Sequence, residues 1–439
     1  MSALSIWILR TMSSMPQDKL VKTAEEILVQ TLELSKQLKQ RSIVLPSSLS
    51  VGANSDLWNT HDGEIKAVRS RILALTMQLD TLLEGPHGFL HEYVSTNWDH
   101  GALYALLEFD VMEKIPLDGT SVGFAQLAGE VGLEPEKLLR ICRLVATAGI
   151  LQETEEGFFA HTAISETLAR DEGYKKFIGF QLFETRVASA HLADSLRKSN
   201  PFWNGESAFE HAWGMPMYDW HTKNPSKGKR FAQAMESVSQ NLDPGNGMVI
   251  DWFTNHQSSN KDDRAALVVE VSGKTGSFSC QLAAIFPGLC FEVQDSSSEL
   301  LQRGEKALVP KLVGRVRFSQ RDLFAPRSIE EVDGEGGDRS LTPIVFLLRG
   351  VLWSLDDSKA IKLLQSFIPA MQRRERPLLV INDLVSPAWG SFEPHAERAF
   401  RRRDVTLMTM HNVKQRTASE WGILICSASP QFKLLGMMC

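Results

Sequence analysis

Between residues 18 and 40 the apolar side chains Leu20, Ile27, Leu28, Leu32, Leu34 and Leu38 recur at helical spacing among Lys, Glu and Gln. That period predicts an amphipathic helix. A turn-rich break follows at Pro46, Ser47 and Ser48, and then Ile65, Val68, Ile72, Leu75, Leu79 and Leu82 mark a second helix. Two helices cannot hide that much apolar surface between themselves, so a domain partner or a second subunit is expected to cover it.

From Tyr104 to Arg170 the pattern predicts three helices and a short hairpin. Two of the helices meet at Gly132, Leu133, Glu134 and Pro135, where proline suits the first helical position; Gly149 ends the second. Ile150 to Glu153 and Gly157 to Ala160 bracket an acidic turn, as in a hairpin wing. The whole reads as a winged helix-turn-helix. Its helices carry few basic residues, which favours packing or dimerisation over DNA binding. From Tyr174 to Met235 the chain is helical and rich in aromatics, among them Phe177, Phe180, Phe183, Phe202, Trp203, Phe209, Trp213, Tyr218 and Trp220. Each alone reads as core, and as a group they suit a flat apolar ligand.

After Lys261, Asp262, Asp263 and Arg264 the pattern changes to strands alternating with helices. Strands are predicted at 265–271, 289–293, 316–318, 343–348 and 377–381, with a helix before Phe286 and another from Ala360 to Phe367. This alternation predicts an α/β, doubly wound, mostly parallel sheet with its ligand at the carboxyl ends of the strands. The expected organisation is helical extension at 1–100, winged helix at 101–172, helical pocket segment at 173–255 and Rossmann-like domain at 256–439.

Composition narrows the classes. The 439 residues, 43% hydrophobic and 23% charged, exclude a disordered or collagenous chain. A formal charge of −6 offers no cationic field for nucleic acid or an anionic membrane. The five cysteines are scattered and lack CxxC spacing, which argues against a disulfide framework and a zinc site and for a reducing, cytoplasmic setting. No apolar run approaches the roughly 20 residues of a membrane-spanning helix. The apolar segment at 4–9 reads as a loose extension rather than a signal core.

Candidate chemistry starts at the first strand of the sheet. It ends in Glu270, followed by Gly273 and Gly276; Asp295 closes the second strand and Asp322 follows the third. Glycines let a backbone approach a ligand, and a carboxylate on the second strand suits the hydroxyls of a ribose. A nucleoside cofactor is the expectation.

The chain resembles the class I-like, plant and fungal small-molecule O-methyltransferases. The markers are Phe286-Pro287, Val293-Gln294-Asp295, Arg315-Val316-Arg317-Phe318 with Asp322, Leu348-Arg349, Ile368-Pro369-Ala370-Met371, and Asn412 through Arg416-Thr417 to Glu420-Trp421. The resemblance implies a winged-helix dimerisation domain, a homodimer, S-adenosylmethionine (SAM) held by Glu270, Gly273, Gly276, Asp295 and Asp322, no metal, and a polyketide-derived substrate in the fungal secondary-metabolite branch.

Three departures alter that expectation. Ser272 and Lys274 stand at two glycine positions of the family's cofactor loop, and an ammonium there would repel a sulfonium. SAM binding is therefore expected to be weakened or lost. The family's histidine base falls on Trp353, whose indole nitrogen only donates. The second carboxylate flanking that base falls on Gln415, leaving Asp383 of the pair. Together these favour an O-methyltransferase-like pericyclase or cyclase. In it Trp353 forms a wall or donates one hydrogen bond, Lys274 or Arg349 polarises a carbonyl, and Asp383 orients a polar group. The alternatives are a SAM-dependent O-methyltransferase with a divergent site, and a non-catalytic dimeric partner using the basic run Arg398 to Arg403. His100, His161, His191, His211 and His411 are the histidines considered as substitutes for the base.

Overall fold

The computed structural model of the chain describes residues 18–43, 62–198, 205–241, 245–257, 266–327, 344–372 and 377–436. The apolar segment at 4–9, the break at Pro46, the aromatics Phe202 and Trp203, and the transition at 261–264 lie outside the described residues. The chain divides into two units.

The first unit comprises the residues through Ala188 together with Tyr218–Leu242 and Trp389–Arg403. Helix α1 (Lys19–Gln40) starts where the Asp18 carboxylate accepts the Leu20 N–H at 3.2 Å. It packs Leu34 and Leu38 against Ile65, Val68 and Ile72 of α2 (Gly63–Glu108). The second helix is kinked, because Gly85 sits at φ 65° and Pro86 has no N–H to continue the ladder.

Helices α3 (Phe124–Val131) and α4 (Pro135–Thr147) join with strands β1 (Val122–Gly123), β2 (Leu151–Glu155) and β3 (Phe158–His161), ordered β1-β3-β2 and antiparallel. This is the winged helix that the pattern predicts. Gly132 closes α3 at φ 69°, and Pro135 opens α4 under a cap in which the Glu134 carboxylate accepts the Glu136 and Lys137 N–H groups. Leu106, Met112, Leu127, Leu138 and Phe159 form its core, all of them fully buried. At about 1.5–3 kcal/mol for each large apolar side chain removed from water, that cluster is the main source of its stability.

The second unit comprises Ser189–Met217, Asp243–Ala388 and the chain from Asp404 onward. Five parallel strands, β4 (Ala266–Val271), β5 (Leu289–Asp295), β6 (Val316–Gln320), β7 (Ile344–Arg349) and β8 (Leu378–Asn382), lie in the order β6-β5-β4-β7-β8. Leu267, Val269 and Val271 face one cluster, with Leu363, Phe367 and Trp421. Val268 faces the other, with Phe278, Leu282 and Phe291. A strand buried on both faces explains why its sequence is a continuous apolar run rather than an alternation. Among the described residues, no helix is long and apolar enough to cross a membrane.

Candidate active site

Strand register brings the candidate residues to one edge of the sheet. Val271 is level with Gln294 and Leu348, Asp295 with Gln320, and Arg349 with Asn382. The loops that leave these strand ends carry Ser272 to Gly276, Asp322, Trp353 and Asp383. The order β5-β4-β7 reverses at β4, and such a reversal opens a crevice for ligands at the carboxyl ends.

The loop from β4 to the next helix (Ser277–Ile285) keeps the backbone of a glycine-rich turn with two of the glycines replaced. Ser272 lies at φ 58°, Lys274 at φ 55° and Gly276 at φ 67°. The left-handed region is costly for a side chain with a Cβ, so surrounding contacts must hold it. They are visible: the Lys274 N–H donates to Asp295 Oδ2 at 3.0 Å, Gly273 N–H to the Gln294 carbonyl at 3.1 Å, and Gly276 N–H to the Gly273 carbonyl at 2.8 Å. Gly273 and Gly276 are required by packing, since a Cβ on either would lie 2.8 Å from a Val293 methyl. The Lys274 residue is exposed.

Asp295 is buried and also accepts the Ser297 N–H at 2.9 Å through Oδ1. Each of its oxygens thus holds one backbone donor, and a carboxylate has about four acceptor sites, so two remain for a ligand's hydroxyls. Asp322 is exposed and accepts the Phe324 N–H at 2.8 Å. Glu270 is buried, and its Oε2 accepts the Ser279 hydroxyl at 2.6 Å. Its other oxygen lies 3.5 Å from Arg349 Nε. The same guanidinium donates to Asn246 Oδ1 at 3.1 Å and lies 4.5 Å from the centre of the Phe278 ring. Arg349 is held by Glu270, Asn246 and Phe278, all parts of the framework.

Trp353 sits in a short 3-10 turn, Leu352–Ser354, after β7. Its indole N–H donates to the Gly350 carbonyl at 2.8 Å, which commits the one donor that ring has. Below it the Asp383 carboxylate, after β8, accepts the N–H groups of Leu352, Trp353 and Leu384 at 2.9, 3.1 and 2.9 Å. Burial pushes the Asp383 carboxyl up to about 6, against the pull of those three N–H groups and the Arg416 charge. Gln415 is buried, its N–H donates to Asp404 Oδ1 at 2.7 Å, and neither polar atom of its side-chain amide has a partner among the described residues.

Arg416 organises this edge, a role the sequence does not announce because its partners lie some sixty residues away. It donates to the Leu352 carbonyl at 2.9 Å, the Leu355 carbonyl at 2.6 Å and Asp357 Oδ1 at 2.8 Å. Trp421 stacks on it and donates its indole N–H to the Leu384 carbonyl at 3.1 Å. The guanidinium holds the turn carrying Trp353, while Trp421 and the Arg416 carbonyl, which accepts the Ser386 N–H at 2.7 Å, hold the loop carrying Asp383.

The histidines divide clearly. His100 lies in α2, and His161 lies in the winged helix, with its ring nitrogens at Ser165 Oγ and the Ile115 carbonyl and burial lowering its proton affinity. His191 is near Asp194, and His211 near Glu206. The His411 ring meets Trp353 edge-on, with ring centres 6.3 Å apart. The nominated aromatics fall in both units: Phe177, Phe180, Phe183, Tyr218 and Trp220 in the first, Phe209 and Trp213 in the second. In the basic run, Arg401 pairs with Glu397 and Arg398 reaches Met77 and the Tyr93 ring. Among the described residues, no group of three or more His, Cys, Asp or Glu side chains could hold a metal ion.

Comparison with known proteins fixes the family. An O-methyltransferase domain model matches residues 189–430, and an O-methyltransferase dimerisation domain model matches residues 92–171. O-methyltransferase phnC of Penicillium herquei is 60% identical over 96% of this chain and 97% of its own. OxaC, solved with SAH and oxaline, covers 92% of this chain and 94% of its own, with a TM-score of 0.68 and 20% identity. A pericyclic reaction enzyme covers 91% and 94%, with a TM-score of 0.66 and 19% identity.

At those identities the two structures establish the fold and do not choose between methyl transfer and cyclisation. The 60% relative does. It overturns the expectation of a pericyclase or cyclase, and the physical reason lies in what the departures left intact. The loop keeps its backbone shape despite Ser272 and Lys274, and loss of a general base removes only about a hundredfold to ten-thousandfold of rate. An enzyme of small-molecule metabolism with an α/β sheet and an N-terminal dimerisation domain, the chain belongs to the O-methyltransferase family.

Proposed function

We propose that this chain transfers the methyl group of SAM to a hydroxyl of an aromatic, polyketide-derived small molecule, acting as a homodimer. The observation that carries the reading is the end-to-end 60% identity to an O-methyltransferase. The sheet edge suits the cofactor: a tightly turned loop after β4, and acceptors at Asp295 and Asp322 on the two neighbouring strand ends. In this reading the 272–276 backbone and Glu270 shape the cradle, Asp295 takes the ribose hydroxyls and Asp322 the base.

Bound there, SAM supplies an electrophilic methyl on a sulfonium. The chain's own residues orient the acceptor. Trp353 forms an apolar wall fixed by Gly350, the Gln415 amide offers a donor and an acceptor to the substrate, and Asp383 holds the Trp353 turn in place. Arg349 acts through Glu270 as a positioning residue. Lys274 is an exposed residue, and solvent screening there weakens the repulsion between its ammonium and a sulfonium.

Calorimetry of the full-length protein with S-adenosylhomocysteine tests the cradle. Saturable one-site binding that Asp295→Ala abolishes is the expected result. Absence of binding in the wild type contradicts it.

A further inference from the structure

Trp353 leaves the reaction without the imidazole that family members place there, and an indole accepts no proton. We infer that His411 supplies the general base, entering the site from the end of a different helix; this rests on the methyl-transfer reading. Three observations point to it. The His411 ring touches the Trp353 ring edge-on at 6.3 Å, which puts an imidazole beside the vacated function. It is the last residue of the 18-residue helix Pro394–His411, whose carboxyl end favours the positive charge that arrives with a proton. The helix end is also fixed in place: Asn412 turns at φ 54°, donates its N–H to the Met408 carbonyl at 2.9 Å, and donates its side-chain amide to the Gly205 carbonyl at 2.6 Å.

Imidazole has two ring nitrogens, so one can hold a protein partner while the other takes a proton. The step balances simply. The acceptor O–H bond breaks and its proton goes to a His411 ring nitrogen. The oxygen's electron pair forms the new O–C bond, and the pair of the breaking S–C bond stays on the departing thioether. His411 then returns the proton to solvent.

The test uses the full-length protein, SAM and two acceptors: a naphthol, protonated at neutral pH, and a polychlorinated phenol, ionised there. His411→Gln is expected to lower kcat on the naphthol by about a hundredfold or more and to spare turnover of the ionised phenol. Equal losses on both acceptors would assign His411 a structural role, and no loss on either would remove it from the reaction; each overturns the inference. A second readout needs no turnover. With S-adenosylhomocysteine present, the wild type should raise the ionised, visibly absorbing fraction of bound nitrophenol, and His411→Gln should not. Equal ionisation by both proteins overturns the inference. A wild type that methylates neither acceptor yet ionises bound nitrophenol counts against methyl transfer and leaves the base assignment standing.

Discussion

At the scale of single residues, the loop after β4 shows how a motif can change while its geometry persists. Ser272 and Lys274 occupy φ values of 58° and 55° that glycine adopts freely. Each costs roughly 1 kcal/mol in that region, partly offset because glycine is freer in the unfolded chain. The double substitution Ser272→Gly, Lys274→Gly is therefore expected to stabilise the protein by about 1 kcal/mol in urea denaturation; a loss of stability would show that the side chains themselves hold the loop. Asp383 makes a pH-dependent contribution of known sign. Its carboxyl titrates near 6 in the fold, against about 4 for an unfolded aspartate. Between these values the folded carboxyl keeps a proton that the unfolded chain has released, so stability falls as pH rises through that window. Asp383→Asn should flatten that fall in a pH series of urea melts. A wild-type and variant difference that does not vary with pH would contradict the assignment.

At the scale of elements, local chemistry made most of the architecture legible. Pro135 at a helix start, Gly132 at a helix end and the apolar runs ending in Glu270, Asp295 or Asn382-Asp383 each have a short-range cause. The site was harder to read, because what joins its parts is remote in the chain. Periodicity gives no sign that Arg416 holds Leu352 and Leu355, or that His411 comes to lie against Trp353. The kink of α2 is the intermediate case: Gly85 and Pro86 mark a break that a count of apolar positions passes over. The loop departures misled for a related reason, since a side-chain inventory does not show whether a backbone conformation survives. The clamp gives a direct prediction. Arg416→Leu strips charged donors from two carbonyls and from Asp357, and is expected to cost about 3 kcal/mol of stability in urea melts. A change well below that would mean that Trp421 and the Asp383 hydrogen bonds hold the two loops without it.

At the scale of the whole molecule, the first unit leaves apolar side chains in water. Leu28, Leu32, Val94 and Trp98 are 60%, 62%, 64% and 70% exposed in the single chain. Large apolar side chains left this exposed are what a subunit interface would cover. The dimerisation-domain match at 92–171 includes Val94 and Trp98. Val94→Asp with Trp98→Asp is expected to convert a dimer into a monomer in light scattering, and an unchanged mass would place the subunit contact elsewhere. Methyl transfer itself is open to direct measurement. Purified protein is incubated with SAM carrying an isotopically labelled methyl group and a phenolic polyketide acceptor, and the products are read by mass spectrometry. A labelled O-methyl ether is expected, together with S-adenosylhomocysteine in equal amount. An acceptor that stays unlabelled while the protein binds both ligands would contradict it.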